Sequence, residues 1–543
     1  MGKLLGFLFL FILGFSFFFH LGLNDIWMQN ESFYAETVRE MLENHNFLEP
    51  FYNYEPRFNK PPMTYWLILM SVIPFGLYEF TVRLSIALLG LGTIFLTFLI
   101  GKFLFNQKVG FYSAVAVSLS VLFIANSRYA SPEIPLTFFF TLTMYFFIKG
   151  YKTNQWKYYL WAYVSLGFAV LTKWFPYYLI IGGIILLFIF LDSRLNLKIF
   201  WKKFKSLKIH IGLPIALVIG MWWTVYMYLK YKDQFLAKAF KETFHRATGT
   251  GCMNHVDFLY YLKVALWGFL PYSLVFFIGL FLIKEIYKNN RTASLFLFSW
   301  IIVPYIIFSI SYGKISTYIL QIFPALAIFS GLALVNFKKN NIFKKILFNG
   351  SLIIPSFLYM FLSFYLIFYM NFSLWLGFIG ILPFVLSFFT KDVKLLPFFS
   401  VFSFLILFIV FILPEIEKFR PYDTIGNLIK TEDPEKKFPT LVQHKKIYNL
   451  PFYAERKIIQ EANLSQINNK RNFIALVYKK DLSYFKDTRI LWCGDIYRFG
   501  GDSRTFVFLR YIKKYKKGDK SGFVPMCLIK KGGDNERADY AKW

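Results

Sequence analysis

Acidic residues are scarce in this chain: 31 Asp and Glu stand against 61 Lys and Arg, and the four charged types make up only 17% of 543 residues. Cysteine is scarcer still. Cys252, Cys493 and Cys527 are too few and too widely spaced for a disulfide framework or a metal site of Cys-x-x-Cys type. Against these shortages stands an apolar content of 57%, where soluble domains hold about 45–50%. The excess falls in runs of about 20 residues, the length that crosses a hydrocarbon core. A soluble enzyme, a disordered chain and a disulfide scaffold are therefore excluded. With the bilayer as solvent, the net charge of +30 points to cytoplasmic loops and anionic headgroups rather than to nucleic acid.

The first apolar run, Leu4 to Leu21, follows Lys3 and has no small-residue cleavage site, so it reads as a retained transmembrane helix. Twelve more spans are expected near 81–104, 109–126, 131–149, 157–173, 174–191, 210–229, 259–283, 293–312, 316–336, 343–369, 373–390 and 396–413. With the amino terminus in the cytoplasm, the inside loops hold Lys102, Lys108, the Lys149–Lys157 turn, residues 194–208, Lys284–Arg291, Lys338–Lys345, Lys391 and Lys394, as the positive-inside rule requires. Thirteen crossings place the carboxyl-terminal domain outside, together with the long polar segments 23–60 and 230–258. Segment 62–78 is apolar but carries Pro74 and follows Pro61 and Pro62. Counting it as a span would invert every later loop, so it reads as a helix in the outer interface.

Apolarity falls after Leu413. The expected division is a membrane domain, 1–413, with interfacial helices in the outer loop 23–80, and a soluble domain, 414–543. Strand-like runs in the latter are Phe473–Tyr478, Arg489–Trp492, Thr505–Tyr511 and Gly522–Ile529, with a helix near Tyr422–Lys430, which suggests a small α/β domain. Cys493 and Cys527 lie on or beside two of these runs and could pair in an oxidising compartment or stay as buried thiols.

The first outer loop holds the richest polar pattern. Phe33, Thr37, Val38 and Met41 recur at helical spacing, which predicts a short amphipathic helix with Asn30 at its N-cap and Glu31 in its first turn. A carboxylate there complements the helix dipole even if it does nothing else. Further on, Arg57 and Lys60 precede Pro61-Pro62 and the aromatic pair Tyr65-Trp66; two cations so placed could clamp a phosphate or simply anchor at the headgroups. Glu133 follows Arg128 and Ser131-Pro132 at the outer start of a span. Lys173 and Lys314 interrupt apolar spans at their outer turns, where a basic residue implies a partner, a function or snorkelling to headgroups. His255 in the second long outer loop is a candidate for a divalent metal, but no paired ligand spacing accompanies it.

Four segments then carry a resemblance: Asn30-Glu31-x-x-Tyr34-Ala35-Glu36, Phe58-Asn59-Lys60-Pro61-Pro62-x-x-Tyr65-Trp66, Leu171-Thr172-Lys173, and Lys314-x-x-x-Tyr318-x-Leu320 with Pro324. In this order they resemble the GT-C class of polyprenyl-phosphate-sugar glycosyltransferases, in particular the bacterial aminoarabinose transferases that modify lipid A and the protein O-mannosyltransferase superfamily. The resemblance implies an all-α polytopic membrane domain of about thirteen helices, two amphipathic interfacial helices in the first outer loop and a terminal periplasmic α/β domain. It implies an enzyme of the bacterial inner membrane, acting as a monomer, that transfers a sugar with inversion from undecaprenyl phosphate to lipid A or another periplasmic acceptor. Carried onto this sequence, Glu31, Glu133 and Asn30 fall at catalytic positions, Lys60, Arg57, Lys173 and Lys314 at the donor phosphate, and Tyr34, Arg128 and Tyr318 at the acceptor.

The departures matter. The relatives usually open Asp-Glu-x-x-Tyr, and Asn30 stands in the place of that Asp. Phe33 replaces a usual Arg, and Arg57 is placed to make good the lost cation. Asn59 replaces a usual Glu and so removes the acidic partner of His255 as a metal ligand. An acidic sugar such as galacturonate prefers a more cationic, less acidic pocket, and the loss of two carboxylates moves the site in that direction and away from aminoarabinose. Two other classes fit a many-spanning basic chain: a flippase for lipid-linked sugars, and a non-catalytic binder of the carrier lipid.

Overall fold

The computed structural model describes residues 2–248, 257–337, 342–390, 392–498 and 505–532; His255, Cys252, Lys338, Lys339 and Lys391 lie outside them, as do the side chains of 240–248. The helices are α1 (Gly2–Phe18), α2 (Asn30–Glu43), α3 (Met63–Phe75), α4 (Glu79–Leu104), α5 (Gln107–Ser118), α6 (Val121–Ser127), α7 (Glu133–Thr153), α8 (Trp156–Lys173), α9 (Pro176–Asp192), α10 (Leu197–Ser206) and α11 (Ile209–Thr248). They continue as α12 (Tyr260–Gly268), α13 (Ser273–Phe281), α14 (Ile283–Asn289), α15 (Arg291–Ile310), a 3₁₀ segment Ser316–Ile322, α16 (Phe323–Asn336), α17 (Ile342–Met370), α18 (Gly377–Thr390) and α19 (Leu396–Ile406). The chain divides into two compact units. One holds Met1–Leu21 and Arg57–Phe408; the other holds Gly22–Pro56 and Ile409–Trp543.

Among the described residues seven helices are long and apolar enough to cross a membrane, or nine if each of two bent pairs is one span. The bent pairs, α5 with α6 at 69° and α12 with α13 at 110°, occupy the expected spans 109–126 and 259–283. The count falls short of the thirteen expected partly because α9 has 17 residues and α18 has 14. At 1.5 Å per residue each is shorter than a hydrocarbon core of about 30 Å. Segment 62–78 forms α3, a short apolar helix of 13 residues.

Many of the hydroxyls inside these helices are satisfied locally by the carbonyl four residues earlier. Thr137 and Thr141 donate to the carbonyls of Glu133 and Thr137 at 2.7 and 2.6 Å, so α7 carries hydroxyls at no cost in orphaned donors. Helices meet closely where glycine permits. A Cβ on Gly110 of α5 would lie 2.6 Å from the Phe98 carbonyl of α4, and one on Gly331 of α16 would lie 2.7 Å from the Val109 carbonyl. Small residues thus seat α5 between α4 and α16.

One end of this bundle is defined by Asp192 at the end of α9. Its carboxylate accepts from Tyr151 and Lys203 at 2.5 Å each and from Arg291 at 3.2 Å, which ties the ends of α7 and α9 to α10 and the start of α15. Asn290 donates to the Leu104 carbonyl at 2.7 Å and brings the end of α4 there too. Glu133 opens α7 eighteen residues before Tyr151, about 27 Å away along the helix, and so belongs to the opposite end.

The second unit groups the loop before Arg57 with the carboxyl-terminal residues, a division that differs from the expected boundary at 413/414. The physical reason is a set of hydrogen bonds across nearly 400 residues of sequence. Glu417 accepts from the Asp25 amide at 3.0 Å, Arg420 donates to the Asp25 and Ile26 carbonyls, and Asn53 exchanges two bonds with the Ile458 backbone at 2.9 and 2.7 Å. Asn53 and Tyr54 take φ of 55° and 62° at the tip of a hairpin of β1 (Phe51–Tyr52) and β2 (Glu55–Pro56), the left-handed pair that a two-residue turn needs.

A five-stranded sheet follows, in the order β4-β3-β5-β7-β6, from β3 (Thr440–Gln443), β4 (Ile458–Ala462), β5 (Phe473–Tyr478), β6 (Arg489–Tyr497) and β7 (Phe523–Lys531). β3 runs parallel to β4 and β5; β7 runs antiparallel to β5 and β6. Leu441, Phe473, Ala475, Val477 and Ile529 form its core. Cys493 and Cys527 face each other across β6 and β7 and form a disulfide. The expected helix near 422–430 is Tyr422–Glu432. The run Thr505–Tyr511 is not a strand but the start of a helix, Thr505–Lys516, because Phe508, Leu509 and Ile512 bury one face at helical spacing.

Candidate active site

In the first unit, α8 ends at Lys173 and the chain reverses through Trp174, whose φ is 102°, into Pro176 at the start of α9. The reversal presents Lys173 to Glu133 at the start of α7. The Lys173 Nζ lies 2.7 Å from Glu133 Oε1, with both side chains less than a tenth exposed. Thr317 Oγ1 donates to the same oxygen at 3.3 Å, and the ammonium stands 4.8 Å from the centre of the Tyr318 ring. Tyr177 is buried beside Lys173. Lys60 is close enough to act on Glu133 electrostatically, and the carbonyl of its neighbour Asn59 accepts from Trp174 Nε1 at 3.1 Å. Glu133, Lys173, Tyr318 and Lys60 thus come together from four separate stretches of sequence, with Thr317 and Tyr177 as members that sequence reasoning missed.

Arg57 and Lys314 sit around this centre in other ways. Arg57 Nε donates to Tyr65 OH at 3.2 Å. Lys314 Nζ donates to the Ser309 carbonyl and lies 5.9 Å from the Tyr261 ring, which packs on Phe308 and through it on Tyr318. Burial holds the Lys314 ammonium below its ordinary pKa, opposed by the carboxylate of Asp257. Lys173 and Lys314 therefore bracket one aromatic set. Arg128 has a different surrounding from the acceptor role expected: its guanidinium donates to the carbonyls of Ser16, Phe19 and His20 at 3.0, 2.9 and 3.2 Å, and Arg83 donates to Leu21 at 2.9 Å. These two arginines satisfy the open carbonyls at the end of α1.

In the second unit, α2 begins at Asn30 with Gln29, not Asn30, at the N-cap position. Glu31 Oε2 accepts from the Trp27 amide at 2.9 Å, so one carboxylate oxygen caps the turn that leads into the helix. Tyr34 is fully buried. The helix is not the surface amphipath expected. Ten of its residues are buried, Glu31, Glu36, Arg39 and Glu40 among them. What allows this is internal pairing: Arg39 holds both oxygens of Glu36 at 2.7 and 2.8 Å and reaches Glu43 at 2.8 Å, while Glu40 accepts the Tyr54 amide at 3.0 Å. Burial, with Glu36 next to it, pushes the Glu40 carboxyl up to about 8.

Among the described residues no group of three His, Cys, Asp or Glu could hold a metal ion, and His255 lies outside them.

The apolar spans and the relatives together make the chain a multi-pass membrane protein. The dolichyl-phosphate-mannose-protein mannosyltransferase family matches residues 3–236. An uncharacterized protein of Aquifex aeolicus is 34% identical over 95% of this chain and 97% of its own length. The undecaprenyl phosphate-alpha-4-amino-4-deoxy-L-arabinose arabinosyl transferase of Wigglesworthia glossinidia brevipalpis is 30% identical; the match covers 57% of this chain and 54% of the transferase. The fold is shared with the crystal structure of ArnT from Cupriavidus metallidurans bound to undecaprenyl phosphate, at a TM-score of 0.74 and 17% identity over 98% of this chain and all of that one. The matched family, the named relatives and the shared fold together support a GT-C, ArnT-like glycosyltransferase that uses a polyprenyl-phosphate sugar.

Proposed function

We propose that the chain transfers a sugar, aminoarabinose or a uronic acid such as galacturonate, from undecaprenyl phosphate to lipid A or another periplasmic acceptor, acting as a monomer at the outer leaflet of the bacterial inner membrane. The observation that carries the reading is the buried Glu133–Lys173 pair with Thr317, Tyr318 and Lys60 around it, at the end of the bundle opposite the basic loops. By the positive-inside rule that opposite end faces outward. The Cys493–Cys527 disulfide supports the same side, since such bonds persist in oxidising compartments.

In this reading the acceptor oxygen bonds to the sugar C1 from the face opposite the donor phosphate. The C1–O bond breaks with its electron pair going to the phosphate. No strong acid is needed for that leaving group; cations must hold its charge. Lys60, Arg57, Lys173 and Lys314 are the candidates. Lys173 already bears on Glu133, so an arriving phosphate shares that ammonium and loosens the carboxylate. A hydroxyl acceptor gives its proton to a carboxylate, Glu133 or Glu31. A lipid A phosphate is already ionised and needs only positioning, which an amide at Asn30 tolerates. Asn59 does not suit a divalent ion at His255, so transfer is written without one.

Purified chain incubated with polyprenyl-phosphate sugar and lipid A should add the sugar's mass to the acceptor, and Lys60→Ala should lose most of that product. A missing phosphate contact of this charge-assisted kind is worth about 1.5–3 kcal/mol. Donor binding without product points to the non-catalytic binder, and donor movement across vesicles without product to the flippase.

A further inference from the structure

The helix α10 joins α9 to α11 at the end of the bundle opposite Glu133, and none of its residues is buried. Leu197, Phe200, Trp201 and Phe204 stand at i, i+3, i+4 and i+7, one apolar stripe, and the three aromatic rings pack on one another with centroids 5.3–5.8 Å apart. Phe200 packs edge-on against Phe190 of α9 at 6.0 Å and is half-buried with Phe204, whereas Leu197 and Trp201 are 62% and 53% exposed, so the outer part of this stripe is left uncovered by the rest of the unit. Lys198, Lys202 and Lys205 line the neighbouring face and are exposed as well. The helix cannot drift from the bilayer surface. Four residues separate it from Asp192 at the end of α9 and two from Ile209 at the start of α11, and Lys203 Nζ is fixed on Asp192 at 2.5 Å.

We propose that α10 is a binding site for anionic phospholipid headgroups, with its aromatic stripe in the acyl boundary and Lys198, Lys202 and Lys205 on the lipid phosphates. The charge fits: three exposed ammonium groups share one helix with no acidic residue. A helix with an aromatic stripe and a lysine face lies flat in the interface, and its basic residues favour anionic lipid over zwitterionic lipid. A soluble protein partner would have to cover the stripe while α9 and α11 hold it at the level of the headgroups.

The test uses the full chain with Cys252→Ser and Leu197→Cys, labelled with bimane and reconstituted in vesicles of phosphatidylcholine and phosphatidylglycerol. The bromine is carried on the acyl chains of one lipid or of the other, at equal mole fraction. Brominated phosphatidylglycerol should quench the label at least about five-fold more effectively than brominated phosphatidylcholine, the preference expected from a single engaged lysine. That difference should collapse in high salt and in Lys198→Gln/Lys202→Gln/Lys205→Gln, a variant that keeps the helix formers and removes only the charge. Equal quenching by the two lipids would overturn headgroup recognition. Absence of quenching by either would overturn the membrane seat altogether and leave a soluble partner as the occupant.

Discussion

Lys173 and Glu133, forty residues apart and on different helices, form a buried ion pair with Nζ 2.7 Å from Oε1. Such a pair contributes little to stability when intact, because desolvation offsets the attraction, but losing one partner strands the other charge. Lys173→Met should therefore cost about 3–5 kcal/mol, read as a fall in the thermal midpoint in detergent. Adding Glu133→Gln should restore most of the loss. If the pair carries the transfer, the double variant stays inactive although it is stable again. Recovery of turnover along with stability would reduce the pair to a structural strut.

The first outer loop tests the other carboxylate. Glu31 Oε2 caps the Trp27 amide, and Gln can offer the same acceptor, so Glu31→Gln should keep the turn and cost roughly 0.3–1 kcal/mol of dipole interaction at most. Turnover measured with the mass assay should survive. A fall of about 10²–10⁴-fold with donor binding retained would instead make Glu31 the base. Asn30→Asp is expected to be harmful, since a new negative charge would face an anionic sugar or acceptor phosphate.

How far these elements were legible follows from their length. The spans of twenty or more residues, α4, α7 and α15, announce themselves by apolarity alone, whereas α5–α6 and α12–α13 read as single spans because hydropathy carries no bend. Thr505–Tyr511 misleads because Phe, Val and Tyr favour strands, and only the burial of Phe508 and Ile512 four residues apart reveals the helix. Glu133 and Lys173 stand out singly as charges at the ends of apolar runs. Their pairing does not, because nothing local links two helices. Arg128 looks like a free cation in sequence, since its partners are backbone carbonyls far upstream. The compensated charges of α2 look like a polar surface for the same reason: a buried carboxylate beside an arginine has no compositional mark.

The disulfide closes a loop of 34 residues between β6 and β7. Loop entropy of that length stabilises by about 3–4 kcal/mol. Reductant, or Cys493→Ser, should lower the unfolding midpoint of the carboxyl-terminal sheet, monitored by hydrogen exchange in β5 and β7. No change on reduction would mean that the two sulfurs are not joined in the isolated protein.

Acidity offers the last test, on the cluster around α2. Burial first and Glu36 second hold the Glu40 carboxyl at about 8, against 4.5 when it is free. Asp25 behaves alike: burial first and Glu417 second raise it to about 8 from 3.8. A raised acid keeps its proton in the folded chain at neutral pH, while the unfolded chain has released it. The unfolded state therefore binds fewer protons, and stability falls as pH rises. The contribution is whole below about pH 4 and lost by the time pH passes 8. Glu43 runs the other way. Burial opposes its ionisation, but hydrogen bonds from Lys436, Tyr54 and Arg39 outweigh it and hold the carboxyl at about 2, so its support fades only in strong acid. Between pH 5 and 9, hydrogen-exchange protection of α2 and the β1–β2 hairpin, corrected for the intrinsic rate, should decline in the wild type. Glu40→Gln, which cannot ionise, should match the wild type near pH 5, exceed it at pH 9 and show a shallower slope, with Asp25 and Glu36, both raised by burial, supplying what slope is left. A wild-type profile flat over that range would show that Glu40 and Asp25 are both ionised in the folded chain.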